Sequence, residues 1–172
     1  MITATDILDD AFTRVNEAMH QQLDGLAGPT VLWRPDAEAN SIGWLAWHLT
    51  RVQDDHLAGV GDRDQVWTAD GFAASFALPY PVEAHGYGHS SDDVAAFTID
   101  DVDLLLAYHD AVHQMTLTVL GALDDAGYAR VVDDSWDPPV TAAVRLVSVI
   151  GDTGAHLGQI GYLRGLAERR AS

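Results

Sequence analysis

Residues 146–166 read LVSVIGDTGAHLGQIGYLRGL, and the spacing of apolar residues in this stretch decides what kind of fold the chain adopts. Leu146, Val149, Thr153, Leu157, Ile160 and Leu163 recur at intervals of three and four. At 3.6 residues per turn they share one face of a long helix. Asp152 and His156 are four residues apart and fall on that same face. A carboxylate and an imidazole turned into hydrocarbon are costly unless something compensates them. A shared divalent cation does so, and so does a hydrogen bond between the two side chains. Gly151, Gly154, Gly158, Gly161 and Gly165 form a second stripe on the opposite side of the helix. Glycine weakens a helix, so close approach of another backbone is expected there. Either the first helix or a second copy of the chain answers this, and a homodimer is the expectation.

Three more long helices are expected upstream. The first runs from about Thr5 to Leu23, with Ile7, Leu8, Phe12, Val15, Met19 and Leu23 at helical spacing, and ends at Gly25, Gly28 and Pro29. The second starts at Ser41, a good N-cap residue, and reaches about Val60. The third follows the acidic pair Asp100–Asp101 and ends near Leu123. The fourth begins after Pro138–Pro139 and closes on Arg164, Arg169 and Arg170. Residues 62–91 form a long connection rich in Gly, Pro and aromatics, with Ser91–Asp93 able to cap one helical turn. Loops of this length inside compact domains are usually functional or mobile. The pattern reads as an all-α fold, a four-helix bundle with a long crossover between helices two and three, in a single domain spanning residues 1–172.

Composition narrows the function. With 172 residues, 48% of them hydrophobic, the chain can bury a proper core. It has no cysteine, which excludes disulfides, thiolate zinc sites and a cysteine nucleophile. No signal peptide and no apolar run long enough to span a membrane is read, so a cytoplasmic protein is expected. Twenty-six acidic residues stand against nine basic ones, all Arg, for a net charge of −17. A surface this acidic repels phosphate backbones and anionic lipid, so neither nucleic acid nor membrane is an expected partner.

The second helix, SIGWLAWHLTRVQDDHLAGV, supplies a third polar group. His48 lies in its apolar stripe with Ile42, Leu45, Leu49 and Val52. Metal sites in bundles are built from inward side chains on different helices. His48, Asp152 and His156 together suit Zn²⁺ or Ni²⁺ first, then Mn²⁺ or Fe²⁺, with coordination positions left open. Asp55 and His56 stand about two turns from His48, roughly 10–12 Å along the axis, too far to share one ion with it. Asp54 and Asp55 read instead as surface or supporting groups. His109 and His113 make a rival pair four residues apart on the third helix. Core hydrogen bonding, support of a ligand, or a place in the substrate pocket all fit them. His85 and His89, in HGYGH, read as exposed loop residues, with closure over a site as the alternative.

SIGWLAWHLTRVQDDH and WDPPVTAAVRLVSVIGDTGAHLGQIGYLRG resemble the DinB/YfiT-like superfamily of four-helix-bundle metalloenzymes, across essentially the whole chain. That pattern has one His in the second helix and H-x-x-x-H or E-x-x-x-H in the last. Carried over, it gives His48, Asp152 and His156 as metal ligands, with Asp152 departing as a shorter carboxylate. The chain is similar to mycothiol-dependent maleylpyruvate isomerases and small-thiol S-transferases of that group. The resemblance implies a divalent metal that binds a low-molecular-weight thiol, and a small electrophile as substrate. The alternatives are a non-catalytic metal-binding or stress-associated bundle, and a hydrolase using metal-bound water. No catalytic acid or base is assigned.

Overall fold

The computed structural model describes residues 1–171 and is mostly helical. Its elements are α1 (Ala4–Leu23), α2 (Gly28–Val31), α3 (Ile42–Gly61), α4 (Val66–Ala69), α5 (Phe72–Phe76) and α6 (Ser91–Ala95), followed by α7 (Val102–Gly121), α8 (Asp125–Ala129), β1 (Val131–Asp133), β2 (Val140–Thr141) and α9 (Ala142–Ala171). The four long helices fall where the periodicity places them. The starts of α1, α3 and α7 are set by side chains that satisfy backbone amides left free by the first turn. Thr3 and Asp6 form a reciprocal capping box on α1, Ser41 accepts from the Trp44 amide, and Asp101 accepts from the Leu104 amide.

The long helices pack in a ring, α1 against α7 and α9, and α3 against α7 and α9. α1 turns Phe12, Val15, Met19 and Leu23 inward, while Ile7, which shares their periodicity, is exposed. All six stripe positions of α9, Leu146, Val149, Thr153, Leu157, Ile160 and Leu163, are buried. α3 is the most enclosed helix, with every residue from Ile42 to Arg51 buried. Helices α7 and α9 cover two of its sides and the crossover covers a third, so its polar residues must find protein partners.

Besides the short helices α2 and α8, two parts of the fold differ from the sequence expectation. Residues 131–141 form a short antiparallel ladder, Val131 facing Thr141 and Asp133 facing Val140, so a two-stranded sheet accompanies the helices. The crossover also carries two helical turns, α4 and α5, besides the expected turn at α6. Trp67 and Phe76 are buried in it and stack on Tyr108 of α7, with Phe72 beside them. These aromatics bind the crossover to the helices as a packed layer. Tyr87, at its tip, is exposed.

Candidate metal centre

The structure brings His48, Asp152 and His156 together between α3 and α9. One donor atom from each lies within 4.8 Å of the others. Two ligands of one ion, each about 2.1 Å from it, are at most about 4.2 Å apart. In a tetrahedral site the separation is about 3.4 Å, so the widest of these distances must shorten by about 1.4 Å before all three side chains coordinate one ion. Asp152 and His156 do not point into the hydrocarbon core as the helical spacing suggested. They sit on the flank of the α9 stripe, with side chains 39% and 17% exposed. Two members of the donor set are therefore open to solvent, while His48 is buried.

The two imidazoles are held in the same way. His48 Nδ1 lies 2.5 Å from the His85 carbonyl oxygen, which can only accept, so Nδ1 carries the proton and Nε2 keeps its lone pair. Burial lowers the His48 pKa, which keeps the ring neutral. The Trp44 ring stacks on it at 4.8 Å, and the His156 ring meets it edge-on at 4.8 Å. On His156, Nδ1 is 3.1 Å from Gln159 Oε1 and Nε2 is 3.5 Å from Asp152 Oδ1. The bond between them raises the His156 pKa and lowers that of Asp152, so the carboxylate is ionised. Asp152 Oδ2 is buried and has no hydrogen-bond partner. His48 Nε2 has a free lone pair, Asp152 Oδ2 is a buried acceptor lacking a donor, and His156 Nε2, paired here with Asp152 Oδ1, would give up its proton to a cation, so the three side chains fit a divalent ion.

The crossover closes over this set. Gly86 has φ +93°, and a Cβ there would stand 2.7 Å from His48 Nδ1, 3.0 Å from Trp44 and 3.1 Å from Trp47. Only glycine allows the chain to approach closely enough for the preceding carbonyl to reach His48. His85 and His89 are thus half-buried members of the closure and not exposed loop residues. The Trp44 indole N–H donates to His89 Nδ1 at 3.3 Å.

Of the two places expected for Asp54, surface or support, the structure gives the second. Asp54 is fully buried, accepting from the Val66 and Trp67 amides and from the Tyr108 hydroxyl at 2.8–2.9 Å. Arg51, also fully buried, lies 3.6 Å from it, and donates to Gln65 and the Ala84 carbonyl. This pair fixes both ends of the 66–84 segment to α3 and so positions the closure at Gly86. Asp55 stays outside the metal-like group. It accepts from Gln65 and lines a cavity of about 340 Å³ with His56, Asp133 and Arg145.

His109 and His113 lie elsewhere, buried on α7. Thr50 Oγ1 donates to the Ala46 carbonyl, so His109 Nδ1 donates to Thr50 at 2.9 Å. Burial drives the His109 pKa down to about 3. Among the described residues, His48, Asp152 and His156 are the one group of three with metal-like spacing. A second cavity, about 530 Å³, lies on the α9 turns that flank His156 and is lined by Glu38, Leu45, Ala155, Gln159, Tyr162 and Leu163 among others, without the three donor residues themselves.

Comparison with known proteins agrees with this architecture. The family model of the DinB superfamily matches residues 11–160. A solved structure described as a conserved protein from Enterococcus faecalis superposes with a TM-score of 0.90 at 28% identity, covering 97% of this chain and 98% of that one. No curated protein matches the chain.

Proposed function

Because this chain belongs to the DinB superfamily, whose members often bind a divalent metal, we propose that His48, Asp152 and His156 hold one such ion, Zn²⁺ or Ni²⁺ before Mn²⁺ or Fe²⁺. We read the four long helices as a four-helix bundle that presents this set at the α3–α9 groove. The observation that carries the reading is the gathering of donor atoms from His48, Asp152 and His156 within 4.8 Å, with Asp152 Oδ2 buried and partnerless and His48 held in the tautomer that leaves Nε2 free. The activity we propose is attack of a low-molecular-weight thiol on a small electrophile, as an S-transferase or isomerase. A bound divalent cation lowers the pKa of a thiol or water that coordinates it.

The chain's own residues supply the rest. The His85 carbonyl and Gln159 orient the two imidazoles, and Trp44 keeps water from one face of His48. The cavity beside His156 has room for a small organic molecule, with Tyr162, Leu45 and Leu163 as its apolar walls. The thiol arrives with the cosubstrate, which suits a chain without cysteine. Such chemistry needs a reduced thiol pool, as in the cytoplasm.

The test has two arms. Isothermal titration of metal-stripped protein with Zn²⁺ and Ni²⁺ is expected to give one ion per chain, lost in His48→Ala, Asp152→Ala and His156→Ala. Full binding by any of these variants would remove that residue from the ligand set. Turnover of an electrophile panel with and without a small thiol then separates thiol transfer from hydrolysis. Thiol-independent turnover would replace the first activity by the second.

A further inference from the structure

Between α3 and α9, next to the candidate metal centre, lies a polar group that the proposed activity has not yet used. The two helices run antiparallel along this seam. His48 meets His156 at one level, while His56 and Arg145 line the cavity of about 340 Å³ at another. Asp152 stands one turn from His156 towards that cavity, which sets it level with residue 52 of α3. Arg145 falls level with residue 59 by the same count, and Gly59 does line the cavity. His56 is therefore one turn beyond the level of Asp152, about 6 Å at 1.5 Å per residue. Helical side chains lean towards the N-terminus of their own helix, so on antiparallel helices these two lean towards each other. Each shifts the proton affinity of the other, as neighbouring charges do.

His56 is built like a base. Asp55 Oδ2 lies 3.4 Å from His56 Nδ1 and favours the tautomer with its proton there and the lone pair on Nε2. The carboxylate is itself held in place. Gln65 Nε2 donates to Asp55 Oδ1 at 2.8 Å, and Arg51 donates to Gln65 Oε1 at 2.7 Å. Among the described residues no hydrogen bond reaches His56 Nε2. The other charged or titratable groups around the ring are Arg145 and Asp152 on α9, Asp133 on β1 and His85 on the crossover. Burial, and after it the Arg145 charge, lower the His56 pKa against the opposing pull of Asp55 and Asp152. The ring is thus neutral at neutral pH and able to take a proton.

We propose that His56, oriented by Asp55, is the proton acceptor of the thiol reaction, and that the cavity beyond it receives the electrophile. The proposal rests on the thiol-dependent activity proposed above. As the sulfur attacks, its S–H bond breaks and an S–C bond forms, and the proton goes to His56 Nε2 directly or through one water. The electron pair displaced from a multiple bond or strained ring of the electrophile settles on its oxygen, and His56 returns the proton there. Thiol and electrophile together hold every atom of the adduct, so no other reagent enters. The cavity suits a neutral oxygen-bearing electrophile, such as an epoxide or an unsaturated ketone, before a carboxylate. Asp55 and Asp133 outnumber Arg145 there, and Arg145 is already paired with Asp133 at 2.7 Å.

The test begins without metal or substrate. In metal-free protein at about pH 7.5, nitrogen-15 spectra of the imidazoles are expected to show His56 neutral, with its proton on Nδ1, titrating below about pH 6.5. A His56 ring that is charged at that pH, or that carries its proton on Nε2, overturns the proposal. With Zn²⁺ bound, His56→Ala is expected to keep one ion per chain and to lose about 100-fold in thiol-dependent kcat/KM, an ordinary contribution of a general base. The fall in wild-type rate as pH drops through the His56 pKa should vanish with it. Added imidazole, for which the enlarged cavity has room, is expected to restore part of the rate, which it cannot do for a residue that only supports the fold. Undiminished turnover in His56→Ala, or a loss that imidazole leaves untouched, overturns the proposal and leaves the thiol activity standing. A wild type that turns over no electrophile with a thiol removes that activity itself, and the proposal with it.

Discussion

Replacing Gly86 by Ala tests whether a backbone carbonyl, reached only through a glycine, prepares His48 for its role. At φ +93° an alanine costs about 1–2 kcal/mol of backbone strain. Its Cβ would stand 2.7 Å from His48 Nδ1, so the segment must retreat and the bond from His48 to the His85 carbonyl breaks, for about 1 kcal/mol more. Folding stability without metal should fall by about 2–3 kcal/mol in chemical denaturation. The freed imidazole also loses its fixed tautomer and orientation. Loss of such a supporting partner typically weakens metal binding by about 10–100-fold. Gly88→Ala is the matched control. Gly88 has φ +76° with nothing within 4 Å of a Cβ, so it incurs strain alone. Titration calorimetry with Zn²⁺ should show the affinity loss in Gly86→Ala and not in Gly88→Ala. Wild-type zinc affinity in Gly86→Ala, or equal losses in both variants, would refute the reasoning.

His109 should contribute to acid lability. Its pKa is about 3 in the folded chain against an ordinary value near 6.5, so the unfolded chain binds the extra proton between those values. The stability it contributes is intact above pH about 6.5 and declines as pH falls, by about 2 kcal/mol at pH 5. The NMR signal of its ring should show no titration down to pH 5, and His109→Gln should flatten the slope of stability against pH between 6.5 and 5. A ring that titrates near pH 6.5 would contradict its burial. Arg51→Met leaves Asp54 buried beside three hydrogen-bond donors but without its cation, which should destabilise the fold by about 3 kcal/mol. Amide exchange at Val66 and Trp67, the two N–H groups bonded to Asp54, should accelerate most. Wild-type protection at those two amides would show that the pair does not hold the crossover.

Much of the fold was legible because helices announce themselves locally. The α9 stripe is buried at all six positions, and the capping residues Ser41 and Asp101 lie one residue from the starts of α3 and α7. Membership of the DinB superfamily follows the same residues. The convergence of His48 with Asp152 and His156 was open to inference because three metal-binding side chains, two imidazoles and a carboxylate, share two inward or near-inward faces. The ladder at 131–141 escaped notice because strands of three and two residues are too short to show a period. Pro138–Pro139 marked only a break before the last helix.

What belonged to tertiary structure alone was the treatment of polar groups. Arg51 and Asp54 look like solvated charges on a helix, since charges normally stay in water. They are buried only because distant amides, Gln65 and Tyr108 compensate them. A helical wheel placed Asp152 and His156 on the apolar face, but only the packing of α3 against α9 brought His48 to that flank. The carbonyl of His85 and the missing Cβ of Gly86 leave no periodic mark in a loop. Periodicity depends on residues a few positions apart, so the chain alone determined its helices and their inward faces. Compensation of buried polar groups depends on residues further along the chain than a helix period reaches, from 12 positions for Asp54 and Val66 to 54 for Asp54 and Tyr108, and only the folded arrangement could decide it.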